Sequence, residues 1–298
     1  MTIYKSKKML AIFLLPALLI VALLIFLPVF LNIYYSVFKW TAYSKTMQFV
    51  GLKYFHKLLS DERVWQAFLN NALYAVVSII LQVGLGLIIA HIINVFANKK
   101  FAALTRVVIF IPAVVSLTAI GLLWVIAYSP SIGFVNPLLE AIGLENLTQD
   151  WLGNSKTAMM AVIMVSQWQY IGEMVMLYTV GLQNVPMDIY ESAKIDGANG
   201  IQTFLKITIP MIKSTILMNT TITIIGAFMV FDEIYVMTSG GPGSATEVLA
   251  TLMYETGFRK DNMGYASAIG VLLFVITFML SFIQLRMYNV KDSMKEEY

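Results

Sequence analysis

The chain has no cysteine and only two histidines, His56 and His91, in 298 residues. Disulfides and thiol chemistry are thereby excluded, and neither imidazole has a second ligand-type residue at the spacings that metal sites use. Charge is also scarce: Asp, Glu, Lys and Arg make up 12% of the residues, with a net charge of +3. No basic run exceeds Lys7-Lys8 or Lys99-Lys100, which argues against nucleic acid as a partner. The short motifs of hydrolases and nucleotide-binding loops are missing as well. There is no GxSxG and no HExxH, and the glycine-rich stretches Gly197 to Gly200 and Gly240 to Gly243 lack the lysine of a phosphate loop. The expectation is a chain with no catalytic residue, no metal site and no cofactor of its own.

What is present is apolar. Hydrophobic residues make up 59% of the sequence and the mean hydropathy is +0.77, values of a membrane protein. Runs long enough to cross a bilayer fall at about residues 9–31, 71–96, 104–127, 157–182, 213–237 and 264–287. The fold class read from them is an all-α membrane protein, a single domain over 1–298 with six transmembrane helices. Gly84, Gly86 and Ala90 in the second run permit close helix packing. Pro112 is expected to kink the third, and Gly240 to Gly243 to end the fifth. With both termini on the cytoplasmic side, 12 of the 20 Lys and Arg fall inside, a weak bias that the five basic residues of 38–70 oppose.

The longest polar interruption in the second half is the loop 183–212. Pro186 suits the first turn of a helix, Asp188 complements that helix's positive end, and Gly197 ends it in a left-handed conformation. These signals predict a helix over 186–196, a glycine corner and a second amphipathic helix. Pro210 is expected to push Ile209 out of helical geometry.

Three motifs carry a resemblance. Glu191-Ser192-Ala193, Asp196-Gly197-Ala198, then Gln202, Phe204, Ile207 and Pro210 resemble the EAA loop of binding-protein-dependent ABC importer permeases, with Ser192 in place of the usual alanine. Phe49 to Phe55 is similar to the FxGLxNY segment of the carbohydrate-type members, with Tyr54 where asparagine is usual and Phe55 where tyrosine is. Phe231-Asp232-Glu233-Ile234-Tyr235 followed by Thr238-Ser239-Gly240-Gly241-Pro242 resembles their FDxIYxxTxGGP signature. The resemblance implies a permease subunit of an inner-membrane importer of sugars or glycerol phosphates. Its coupling residues would be Glu191, Ser192, Ala193, Asp196, Gly197 and Ala198. Its partners would be a second homologous permease, two cytoplasmic ATPases that hold the ATP and Mg, and an extracellular solute-binding protein.

In the resembling maltose system the sugar lies midway through the membrane, against the fourth and fifth helices. Counting from the loop and from the Gly-Gly-Pro turn maps this region onto Trp168, Tyr170, Glu173, Gly226, Phe228 and Phe231. Aromatic faces stack on sugar rings and a carboxylate accepts hydroxyl hydrogen bonds. A rival reading makes Glu173, Asp232 and Glu233 the ion sites of a secondary transporter.

Overall fold

The computed structural model describes residues 7–96 and 98–293. Two compact units are present, one formed by the residues up to Glu62 with Leu252–Phe274, the other by Arg63–Thr251 with the residues from Val275 onward. The amino-terminal Lys5 and the last five residues, used above to place the termini, lie outside the described residues.

In the first unit an apolar helix runs from Lys7–Val21 through a π-turn at Ala22–Phe26 into Leu27–Ser36. It passes Pro16 without a break. A two-residue antiparallel ladder pairs Phe38 with Phe49, and Gly51, at φ +58°, turns the chain into the Lys53–Ser60 helix. Tyr54 of that helix is buried against the Tyr265 ring, centroids 5.7 Å apart, and burial raises its hydroxyl pKa. Gly264 is required here, because a Cβ would lie 2.0 Å from the Phe38 carbonyl oxygen.

The second unit is built around the Ala158–Gln183 helix, 26 residues long and mostly buried. Its neighbours bury Tyr74, Ile120, Val162, Ile163, Phe228, Ile234 and Val248 in one cluster, and Leu87, Ala90, Met174, Tyr178, Leu182 and Ile212 in another. Close approach explains the small residues: Gly86 sits where a Cβ would be 3.2 Å from Met174 Cβ, and Gly172 where a Cβ would be 2.1 Å from the Ile109 carbonyl oxygen.

Among the described residues, three helical stretches are long and apolar enough to cross a membrane alone, Phe13–Ser36, Glu62–Val95 and Met263–Arg286. Two bent helix pairs are long and apolar enough only when each pair is taken together. The third expected span is Lys99–Val114 and Leu117–Tyr128, meeting at 93°. The break lies at Val115, which is extended, and Ser116, at φ −53° and ψ 129°, beyond Pro112 rather than at it.

The expectation at Pro210 is overturned. Ile209 is helical, at φ −58° and ψ −49°, and the chain leaves helical geometry only at Ile212, with a 72° bend into Lys213–Met229. A π-helical turn at Phe204–Thr208 precedes the proline. Its wider winding relieves the clash that a proline ring makes with the carbonyl four residues back.

The fifth span also differs from expectation. It does not run unbroken to the Gly-Gly-Pro turn: Lys213–Met229 stops at Val230, and Asp232–Met237 begins after Phe231. Neither proline nor glycine occupies the break. Asn71, fully buried, supplies the missing partners. Its Nδ2 donates to the carbonyls of Ala227 (2.8 Å) and Phe228 (3.4 Å), while its Oδ1 accepts from the Leu249 N–H (3.0 Å). Those two carbonyls are ones a continuous helix would satisfy from Phe231 and Asp232.

Candidate functional site

A cavity of about 340 Å³ opens beside the break at Val230. Its first wall is the Glu62–Ser78 helix and the π-segment Ile79–Leu85, which present Tyr74, Ser78 and Gln82. These recur every four residues and so share one face. The second wall is Tyr170, Glu173 and Met174 of the central helix, and the third is Ile222 to Glu233 around the broken span. Leu117, the first residue after the 93° bend, completes it.

The walls are braced from behind. The Tyr74 hydroxyl donates to Ser166 Oγ, and Gln167 Nε2 donates to Ser78 Oγ at 3.1 Å and to the Ile163 carbonyl at 3.0 Å. The Thr223 hydroxyl faces Met174 Sδ at 3.8 Å. Gly226, Met229 and Asp232 are exposed at the rim, Tyr170 and Glu173 are half-buried, and Glu233 is only 5% exposed. The space thus has aromatic faces, hydroxyls, an amide and three carboxylates, the mixed lining of a polar small-molecule site.

The second feature is the loop after the central helix. Pro186, at ψ 136°, stands just before the Met187–Ile195 helix rather than in its first turn, and Asp188 lies in that turn. Gly197, at φ +81°, ends the helix. The Gly197 N–H reaches the Lys194 carbonyl and the Ala198 N–H reaches that of Ala193, the two bonds of a Schellman cap. Asn199 and Gln202 then form a reciprocal capping box, both bonds 2.9 Å, that starts the next helix. The Tyr190 and Thr208 hydroxyls meet at 3.3 Å across the two helices, and the Phe204 ring packs on His91, centroids 4.5 Å apart. The corner is fixed at each end. Ala193 is buried within it, Ala198 is half-buried, and Glu191, Ser192, Asp196 and Gly197 are exposed.

Residues 82–288 match the family of binding-protein-dependent transport system inner membrane components. The chain belongs to that family. It is similar to a probable ABC transporter permease, YurN, of Bacillus subtilis strain 168, with 45% identity over 93% of this chain and 95% of the relative. It is also similar to the trehalose/maltose transport permease MalF of Thermococcus litoralis, 31% identical over 95% and 94% of the two chains. Its fold matches a chain of a bacterial ABC transporter involved in import of the polysaccharide alginate, with a TM-score of 0.81, 23% identity, and coverage of 95% and 96%.

Within this permease, four of the six residues mapped from the resemblance, Tyr170, Glu173, Gly226 and Phe231, line the cavity, and two do not. Trp168 is 46% exposed on another face of the central helix, its ring edge-on to Trp124. Phe228 is buried against Phe68. A helix apolar all round gives no periodicity from which to assign its faces. The mapping missed Tyr74, Ser78, Gln82 and Thr223. The first three formed a polar stripe at four-residue spacing in an otherwise apolar span, a signal present in the sequence.

Proposed function

We propose that this chain is the permease subunit of an ATP-driven importer that moves a sugar or oligosaccharide handed over by an extracellular binding protein. Carbohydrate cargo is supported by the relatives, whose names include trehalose/maltose, lactose and arabinooligosaccharide transport permeases. In this reading Tyr170 and Phe231 offer ring faces to the cargo, and Glu173, Gln82 and Ser78 offer hydrogen bonds. The chain spans the membrane six times, counting each bent pair and the central helix as one span, with both termini and the 183–212 loop in the cytoplasm.

The observation that carries the coupling role is the character of that loop. Met187 is 70% exposed, Ile195 86% and Ile201 72%, on a corner held rigid by a Schellman cap and a capping box. Large apolar side chains exposed together on an ordered polar loop mark a contact surface. Two ATPase subunits, which hold the ATP and Mg, draw together on binding nucleotide. They pull this loop and its counterpart on a second homologous permease inward, opening the shared cavity to the outside. Energy then comes from nucleotide and not from the ion gradient that the rival reading required.

The test is affinity purification in mild detergent with uptake measured in parallel. Ile195→Asp and Glu191→Ala should each reduce ATPase co-purification and uptake. No atom lies within 4 Å of a Cβ built on Gly197, so its substitution is opposed by backbone strain of about 1 kcal/mol and not by crowding. Gly197→Asn should therefore be tolerated better than Gly197→Val. Normal co-purification and uptake in both Ile195→Asp and Glu191→Ala would refute the coupling assignment.

A further inference from the structure

The cavity lining contains Glu173, Asp232 and Glu233 and neither lysine, arginine nor histidine. Nor is a base close by in sequence: the central helix Ala158–Gln183 has none, and none occurs from Ser214 to Phe258. Among the described residues no ion pair and no hydrogen bond from another residue reaches any of the three carboxylates. Glu233 is the sharpest case, because it is 5% exposed yet faces into the cavity. Gln82, equally buried and set on the π-turn, faces the same space, and its amide has no hydrogen-bond partner among the described residues.

Carboxylates gathered at membrane depth without counter-charge repel one another and lose hydration, and proteins retain such groups where they serve function. A neutral sugar hydroxyl donates a hydrogen bond to a carboxylate but leaves its charge uncompensated, and a uronate or phosphate adds to the repulsion. A cation supplies both the hydrogen bonds and the opposite charge. We propose that the cavity selects a carbohydrate bearing a positively charged nitrogen, with Glu233 and Glu173 as the residues that distinguish it from neutral and acidic sugars. The inference rests on the carbohydrate reading above and narrows it. The phosphate esters that the sequence resemblance admits are thereby disfavoured as cargo.

The experiment compares three probes on the purified transporter complex without the binding protein, whose own selectivity would mask that of the cavity. The probes are a glucosamine trimer, the same trimer fully N-acetylated, and a uronic acid trimer, each radiolabelled and measured by equilibrium dialysis. The glucosamine trimer should bind at least about tenfold more tightly than its N-acetylated form, a difference of about 1.4 kcal/mol, and its binding should weaken as salt is raised. Glu233→Gln and Glu173→Gln, checked for intact assembly by gel filtration, should each weaken binding of the glucosamine trimer more than that of the N-acetylated trimer, and so shrink the preference. Equal binding of all three, or a preference for the uronate, would overturn the charge selection and leave the carbohydrate reading standing, the second permease then supplying the counter-charge. Binding of none by a complex that still forms and hydrolyses ATP would overturn both.

Discussion

Asn71 offers the most direct test of how the broken span is held. Replacing it with leucine keeps the branched shape and heavy-atom count of asparagine, with two bulkier methyl groups at the amide positions, and removes three hydrogen bonds, two to the Ala227 and Phe228 carbonyls and one from the Leu249 N–H. The site is closed to water, as Asn71 is fully buried, so the orphaned backbone groups have no ready substitute. A buried group left without its partner costs about 1–3 kcal/mol. The contact at 3.4 Å is the weakest of the three, and interhelical hydrogen bonds inside membranes average only about 0.6 kcal/mol when measured pairwise. Together these bounds give about 2–4 kcal/mol for Asn71→Leu. Asn71→Asp keeps the acceptor for Leu249 and loses the donor, placing a carboxylate against two carbonyl oxygens, so it should be no better. The assay is the half-life of the purified complex in detergent at a fixed elevated temperature, because membrane complexes unfold irreversibly and rate is then the meaningful quantity, with uptake in cells alongside. Asn71→Leu should shorten the half-life well over tenfold and abolish uptake. A half-life within about twofold of wild type would show that the break at Val230 is held by something other than this side chain.

Two further outcomes follow from the second unit. Gly172→Ala should destabilise by about 3 kcal/mol or more, since its Cβ would meet the Ile109 carbonyl oxygen at 2.1 Å, whereas Gly226→Ala, with no atom within 4 Å, should leave thermal stability unchanged; equal melting of the two variants would refute the packing argument. Arg63 pairs with Glu247 through Nε–Oε2 at 3.1 Å and Nη2–Oε1 at 2.5 Å. Arg63→Ala should cost about 2 kcal/mol, below the cost at a fully buried pair because Arg63 is 40% exposed, and a second change, Glu247→Gln, should recover part of that loss in a double-mutant cycle.

The contrast between Gly197 and Asn71 explains which parts of this structure could be read from the sequence. Gly197 acts locally: its left-handed φ closes a helix whose bounds, Met187–Ile195, lie within a residue of those predicted from Pro186, Asp188 and the glycine itself. The central helix, Ala158–Gln183, was legible for the same reason, since length and apolarity are properties of one segment. Asn71 acts 156 residues away, on the Ala227 carbonyl. Nothing within Lys213 to Met237 announces that its helix must stop at Val230, because the groups that make stopping affordable belong to another span. Pro112 and Pro210 erred in the opposite direction. Each is a strong local signal, but the π-turn before Pro210 absorbed its clash, and the 93° bend settled at Val115 and Ser116. The cavity was legible as chemistry and not as orientation, so Tyr170 and Glu173 point into it while Trp168, on the same helix, does not.

The irregular backbone is not scattered. The π-segment Ile79–Leu85 carries Gln82 into the cavity, the break at Val230 and Phe231 forms its far wall, and the bend before Leu117 brings in its last member. Non-helical backbone at membrane depth persists only where protein or a water-filled space satisfies its polar groups, and substrate sites of transporters are commonly built from such discontinuous helices. The same positions interrupt the regular i to i−4 ladder of their spans. If the spans pivot at these breaks when the proposed coupling corner is pulled, the walls move relative to one another at the cavity itself. Tyr74 and Ser78 remain tied to Ser166 and Gln167 of the central helix, while Phe231, Asp232 and Glu233 travel with the short segment beyond the break. In that geometry the acidic edge of the cavity moves as a unit against a braced polar wall, so cargo release follows from separating two halves of a hydrogen-bonding surface and needs no change in the chemistry of either.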